Sequence, residues 1–297
     1  MLLVIFPLVC NGIGMRRLGV HTSIAGGLSR SLERANALGC STMQIFSHSP
    51  RGWYLKDISP EEAAQFVALR AKLDISPVYV HTSYLINLAT RDSALRRKSV
   101  SLLRGEMDRA DAIGADFVVL HSGSASGDDD RLSRRRAIDV LSEVAQEGEW
   151  RSRLLVENTA GERGDISSRI SDLAEIIDGV QGRLISGICF DTCHAFAAGY
   201  DLRNDEGLRM IEREIDTHLT AKSIKLVHLN DAKGDLGSGI DRHEHIGSGK
   251  IGMNALREFV TSRYFSAVPL ILETPKKTAA DDPRNLRVVR KMLHLKQ

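Results

Sequence analysis

The chain has 297 residues, 42% of them hydrophobic, 26% charged and 5% aromatic, with a mean hydropathy of −0.16. That profile belongs to a globular chain and excludes disordered and collagen-like classes; no run of 18 apolar residues is present to span a membrane. Forty Lys and Arg against 38 Asp and Glu leave a formal charge of +2, which excludes nucleic-acid binding by a strongly basic tail but permits a local basic face. A domain of this size buries about 75% of its unfolded surface, so it needs no disulfide staples. The four cysteines, Cys10, Cys40, Cys189 and Cys193, form no C-x-x-C pair. They read as reduced thiols in a cytoplasmic protein.

The first residues, MLLVIFPLVC, are apolar but have no preceding positive charge, and Arg16 and Arg17 come after them. This is not the order of a signal peptide. Met15 is the expected natural start, with residues 1–14 an upstream extension. No linker or change of composition divides residues 15–297, which are expected to form one domain.

Along the chain, short β-branched runs alternate with stretches of helical period, eight times over. Strands are predicted at Leu18–His21, Met43–Phe46, Val78–His81, Phe117–His121, Leu154–Glu157, Ile188–Asp191, Ile224–His228 and Leu270–Glu273. Between them, Leu103, Met107, Ala110 and Ile113 form one apolar helical stripe, and Ile170, Leu173 and Ile177 another. Gly39 and Gly114 fall where helix C-caps precede strands. Eight such units predict an α/β fold, a (β/α)8 TIM barrel. A doubly wound sheet would carry G-x-G-x-x-G after an early strand, and that pattern is absent.

Six predicted strands end in a side chain that can ligate a metal: His81, His121, Glu157, Asp191, His228 and Glu273. Any one of these alone reads as a hydrogen-bonded loop residue. In a barrel, however, the C-terminal strand ends ring a single mouth, so six donors converge there. Two clusters add to them: Asp191-Thr-Cys-His194, and Asp241-Arg-His243 on the glycine-rich loop Gly234–Gly249. Histidine and carboxylate together suit Zn²⁺ or Mn²⁺ in a catalytic site. The donors exceed what one ion uses and imply two or three metals bridged by a carboxylate. Cys193 reads as packing, and Glu244 and His245 as solvated loop residues. Paired metals suit in-line displacement at phosphorus, and so phosphodiester hydrolysis. Aldose–ketose isomerisation on the same barrel is the alternative.

The strings GVHTSIAGG (19–27), VHTSYLINL (80–88), LLVENTAGERG (154–164), FDTCHAFAAGYDL (190–202), VHLNDAKGDLGSGIDRHEHIGSGKIG (227–252) and LILETP (270–275) resemble the endonuclease IV family of apurinic/apyrimidinic endonucleases, from about Arg17 to Lys276. The resemblance implies a three-zinc site. His81, His121 and Glu157 would hold one zinc, with Glu157 bridging to a second completed by Asp191, His228 and Glu273. His194, Asp241 and His243 would hold the third. All nine positions carry the expected residue type.

The implied reaction is hydrolysis of duplex DNA on the 5′ side of an abasic site, leaving a 3′-hydroxyl and a 5′-deoxyribose phosphate, with trimming of blocked 3′ ends as a side activity. Glu157 and Glu273 would be the catalytic carboxylates, and the family habit is a monomer. An abasic nucleotide lacks its pairing and stacking energy, so extruding it costs less than flipping an intact one. By resemblance, Arg51, Tyr84 and Leu85 are the side chains that wedge into the gap. Without it, Tyr84 and Leu85 read as a packed loop and Arg51 as a surface charge. Ser49 stands where asparagine is common in the family, with Gly52 beside the arginine. Arg96, Arg97, Lys233 and Lys250 are candidate phosphate contacts at the rim. A sugar isomerase or epimerase would not need the wedge residues, and a non-catalytic metal-storing or lesion-binding barrel would lack a ligand.

Overall fold

The computed structural model describes residues 16–125, 127–162, 164–180 and 184–295. The expected extension 1–14, and Cys10 with it, lies outside the described residues. In chain order the first half contains β1 (Leu18–Val20), α1 (Leu28–Ala37), β2 (Met43–Phe46), α2 (Pro60–Lys72), β3 (Val78–His81), α3 (Ser93–Ala112), β4 (Phe117–Leu120) and α4 (Asp130–Glu147). Then come β5 (Arg153–Glu157), α5 (Ile170–Gly179), β6 (Ile185–Asp191), α6 (Thr192–Ala197), α7 (Asp205–His218) and β7 (Ile224–His228). The chain ends with β8 (Asp231–Ala232), β9 (His243–Glu244), α8 (Met253–Thr261), β10 (Leu270–Leu272) and α9 (Asp281–Met292).

Eight parallel strands run in the order β1-β10-β7-β6-β5-β4-β3-β2. The ring closes between β1 and β2 through a bridge of His21 with Gln44 and bonds from Thr22 N to Gln44 O (2.7 Å) and Ser41 N to Leu18 O (3.0 Å). This is the TIM barrel that the alternation predicts. The two small strands β8 and β9 form a separate antiparallel pair, β8 just before the glycine-rich loop and β9 within it.

Side chains alternate across each strand, so one parity faces the helices and the other the barrel axis. Tyr79, Val119, Leu155, Cys189, Leu226 and Ile271 form one fully buried cluster distinct from the larger core under the helices. They come from six different strands and fill the barrel interior. Two residues further along the same strands, on the same face, stand His81, His121, Glu157, Asp191, His228 and Glu273. The barrel's own pleat therefore aims all six donors into one mouth.

The strands β2, β3 and β7 match their expected bounds. β1, β4 and β10 stop one residue short of His21, His121 and Glu273, because the chain leaves the ladder there to enter the mouth loops. β5 and β6 begin earlier than the pattern suggests; at β6 the ladder with β5 passes from Ile185 to Gly187 through a register shift opposite Leu154 and Leu155. The helical stripe Leu103, Met107, Ala110 and Ile113 is fully buried. Gly39 and Gly114 take positive φ (66° and 63°), with paired backbone bonds such as Cys40 N to Ala35 O (2.9 Å) and Ala115 N to Ala110 O (2.8 Å) that end α1 and α3 as expected.

Gly19 lies at the closing seam of the ring. A Cβ there would land on the Thr42 carbonyl and crowd Ile271 Cδ1 at 3.2 Å. Replacing Gly19 with valine should therefore lower stability by about 3 kcal/mol or block folding. Urea unfolding measures this, and an unchanged midpoint would show that the seam tolerates a side chain.

Candidate metal centre

The mouth opens into a cavity of about 720 Å³ whose walls include His21, His81, His121, His194, Asp241, His243 and Glu273. Within it the potential donor atoms gather into groups lying within 4.8 Å of one another: His81, His121 and Glu157; Glu157, Asp191, His228 and Glu273; and His194, Asp241 and His243. Glu157 belongs to the first two. Its Oε2 lies 3.2 Å from His81 Nε2 and 3.1 Å from His121 Nε2. Its Oε1 lies 2.8 Å from His228 Nδ1 and 3.4 Å from His194 Nδ1. All nine sequence-predicted donors thus lie around one mouth, and two further groups, Glu157 with Cys189 and His228 and Asp191 with Cys193 and His243, share donors with these.

Local structure explains each placement. Asp191 ends β6 and caps α6, accepting from His194 N at 2.8 Å, so a cap three residues before a histidine turns that ring back toward the mouth. His243 reaches the mouth because β9 pairs with β8 immediately beyond β7, Ala232 opposite His243. Asp231 holds this fold-back. It is fully buried, and its Oδ1 accepts from the backbone N–H groups of Ala232, Ile251 and Gly252 (2.9, 3.0 and 3.2 Å), while Oδ2 accepts from Gly249 (2.9 Å).

A second layer orients the rings. The Nδ1 atoms of His81, His194 and His243 face the carbonyls of Thr82 (2.8 Å), Asn158 (2.9 Å) and Glu273 (3.0 Å). A carbonyl only accepts, so these nitrogens donate and each Nε2 faces the mouth, carrying a lone pair there when its ring is neutral. Gln44 does the same for His228, whose Nε2 faces Gln44 Oε1 at 2.8 Å, while Gln44 Nε2 donates to Glu273 Oε1 at 2.7 Å. Asn230 donates to Asp191 Oδ2 (2.7 Å) and accepts from Glu273 N (2.9 Å).

The charges are strongly coupled. Burial opposes ionisation of Glu157 and Glu273, yet the facing imidazoles, His228 foremost, hold both carboxyls well below their usual range. Burial likewise opposes protonation of His194 and His228. Even so, Asp191, Asp241 and Glu157 around the first, and Cys189, Glu157 and Glu273 around the second, hold both rings well above the ordinary histidine value. Against its own burial, the hydrogen bond and charge of His194 bring Asp241 down. In the metal-free protein, protons on imidazole thus supply the positive charge that four clustered carboxylates require. In the mouth, His121 Nε2 and His243 Nε2 are buried without a well-aligned hydrogen bond, with Glu157 Oε2 at 3.1 Å and Asp241 Oδ1 at 3.5 Å beside them, and each belongs to a donor group. Buried imidazoles crowded against ionised carboxylates in this way fit divalent metal.

A family model described as xylose isomerase-like TIM barrel matches residues 32–297. Proteins named probable endonuclease 4 are similar at greater detail. That of Methanoculleus marisnigri is 42% identical over 276 residues, covering 93% of this chain and 98% of its own. That of Aquifex aeolicus is 40% identical, covering 94% and 98%. The solved endonuclease IV of Thermus thermophilus superposes with a TM-score of 0.82 at 36% identity, over 94% of this chain and 99% of its own. The chain belongs to the endonuclease IV family. It is on that footing a DNA-repair endonuclease with clustered candidate metal ligands. A D-tagatose 3-epimerase-like protein, at 20% identity and a TM-score of 0.72, shares the fold alone.

Of the remaining predicted residues of this endonuclease, Tyr84 lines the mouth and Arg51 directly follows the lining residue Pro50. Arg51 is exposed and Tyr84 is 65% exposed, its ring 5.3 Å from that of Phe46. Leu85 is half-buried against the core. Tyr84 is thus exposed on one side while its ring packs against Phe46 and, at 6.2 Å, His81. Arg96 is tied back to Thr90 O (3.2 Å) and Lys250 pairs with Asp235 (3.1 Å), whereas Arg97 and Lys233 are exposed. Cys193 is buried and lies in one donor group with Asp191 and His243. Glu244 and His245 are not solvated. Both are half-buried, and His245 Nδ1 meets Asn285 Nδ2 at 3.0 Å, because α9 packs over this end of the loop. No described helix is long and apolar enough to cross a membrane.

These shifts set a pH dependence for the metal-free protein. His194 and His228 are raised above their unfolded value of 6.5, so their contribution is complete below pH 6.5 and is lost as pH rises through their folded values. Glu157 and Glu273 lie below their unfolded value of 4.5, so theirs is complete above pH 4.5 and is lost on further acidification. Thermal unfolding of chelated protein should show greatest stability between those limits and a decline above pH 6.5 that added zinc abolishes. A flat profile from 6.5 to 9 would contradict the electrostatic account.

Proposed function

We propose that this endonuclease hydrolyses the phosphodiester on the 5′ side of abasic sites in duplex DNA, leaving a 3′-hydroxyl and a 5′-deoxyribose phosphate, and trims blocked 3′ ends in the same mouth. The observation that carries the reading is Glu157, one fully buried carboxylate shared between two groups of donors beside a third. His81, His121 and Glu157 would hold one zinc; Glu157, Asp191, His228 and Glu273 a second; and His194, Asp241 and His243 a third. Mn²⁺ favours the same donors and could take one or more positions. When bound, such ions acidify water toward a pKa of about 7 and offset charge on phosphoryl oxygens.

The chain's own side chains do the rest. Glu273, held by Gln44 and by His21, whose Nδ1 lies 3.4 Å from Glu273 Oε1, orients the attacking water. The water oxygen bonds to phosphorus and gives up a proton to Glu273 as the bond from phosphorus to the 3′ oxygen breaks, and that oxygen takes a proton from solvent to leave as the 3′-hydroxyl. Arg51, Tyr84 and Leu85 would enter the duplex where the base is missing. The rim exposure of Arg51 and Tyr84 supports that role. The aromatic walls of the mouth, Phe46 and Tyr84, suit an extruded sugar that carries no base.

A labelled duplex with one abasic site, beside an intact duplex, tests the reading. One cut 5′ to the lesion with a 3′-hydroxyl end is expected, and none in the intact duplex. Activity on a free ketose or aldose without cleavage of damaged DNA would point instead to the isomerase or epimerase alternative. Glu157→Gln keeps the shape but removes the bridging charge. It should reduce cleavage by at least about a thousandfold while preserving lesion binding, and undiminished cleavage would refute the bridging role.

A further inference from the structure

Beneath the rim lies a buried ionisable pair that the metal groups do not use. Glu106, on α3, is fully buried, and His48, in the segment after β2, nearly so. His48 Nε2 donates to Glu106 Oε1 at 2.6 Å. The same oxygen accepts from Ser83 N at 2.9 Å, one residue before Tyr84. Ser83 then closes the figure: its hydroxyl donates to Pro50 O at 2.8 Å, next to Arg51, and accepts from Leu85 N at 3.2 Å. One turn along α3, the Arg109 guanidinium bonds to Ser47 Oγ (3.2 Å) and to the carbonyls of Ser47 and Lys56, fastening both ends of the segment that carries Arg51.

We propose that the His48–Glu106 pair is the positioning device that holds the two rim loops, 47–56 and 83–85, in register for reading damaged DNA. The inference rests on the assignment of Arg51, Tyr84 and Leu85 to lesion contact and adds Glu106, which is fully buried, and His48, which is nearly so and borders the mouth. Stability alone does not require the pair. Glu106 Oε2 and His48 Nδ1 lack hydrogen-bond partners, a cost that an apolar pair of similar volume avoids. An apolar pair has no direction, however. A single carboxylate oxygen accepting from both loops fixes the separation of Arg51 from Tyr84 before DNA arrives. Loops ordered in advance lose less conformational entropy on binding.

The test compares full-length, metal-loaded wild type with His48→Leu, which removes the donor at similar bulk, and His48→Gln, which restores an N–H donor. Tyr84→Ala serves as the control for lesion reading. Binding to abasic and intact duplexes, kcat, KM, metal content and melting temperature are read for each. For His48→Leu, KM and the dissociation constant for abasic duplex should rise roughly tenfold, with kcat within about twofold and metal content unchanged; His48→Gln should recover most of the loss. Wild-type discrimination in His48→Leu, with discrimination lost in Tyr84→Ala, overturns the positioning role and leaves the lesion-contact assignment intact. Full discrimination in Tyr84→Ala overturns that assignment, and the positioning role with it. Loss of metal or of kcat in step with affinity also overturns the proposal, because it marks general disruption. Should the leucine variant fail to fold, Glu106→Met, which removes the acceptor oxygen at similar bulk, carries the same readouts and the same expected direction.

Discussion

The structure is organised around a buried carboxylate that cannot stand alone. Glu157 is fully buried at the end of β5, where an isolated negative charge would cost several kcal/mol of desolvation. Its two oxygens are instead shared among four imidazoles from β3, β7, α6 and the segment after β4. Three of them, His81, His194 and His228, in turn lie against further carboxylates or carbonyls. The arrangement balances only with positive charge in the mouth, supplied by protons or by divalent ions. This is why the same residues that shift one another's titration are those whose geometry fits metal.

The barrel supplies that arrangement at little local expense. Its pleat alternates side chains between the helix layer and the axis, so a donor two residues beyond an interior Tyr79, Leu155 or Leu226 already points into the mouth. Six donors need nothing more than correct parity at the strand ends. The remaining three need special local structure. Asp191 turns His194 inward by capping α6, and Asp241 and His243 depend on the fold-back held by Asp231. The rim follows the same economy, with α3 anchoring both loops through Glu106 and Arg109.

This division decides what was legible in the sequence. Alternating strand and helix patterns, with ionisable residues ending the strands, carry the barrel and the convergence of donors, because both depend on parity and topology that one sequence displays. The ends of β1, β4 and β10 were less legible, since hydrophobic pattern alone does not show where a strand leaves its ladder. Gln44, Asn158, Asn230 and Asp231 escaped notice because an amide or carboxylate that orients a ligand has no spacing of its own. The available signal was adjacency, as in Glu157-Asn158 and His228-Leu-Asn230-Asp231. His48 and Glu106, 58 residues apart, carried no signal at all: only the fold makes them partners. His245 was misjudged because α9, far along the chain, covers it.

The most direct test of the account is metal stoichiometry. Protein purified without chelator and measured by elemental analysis should contain three divalent ions per chain. Glu157→Gln should lose ions from the two groups that share this carboxylate, and Asp241→Ala should lose only one. A single ion in the wild type, or an unchanged count in Glu157→Gln, would contradict the claim that one buried carboxylate organises the site.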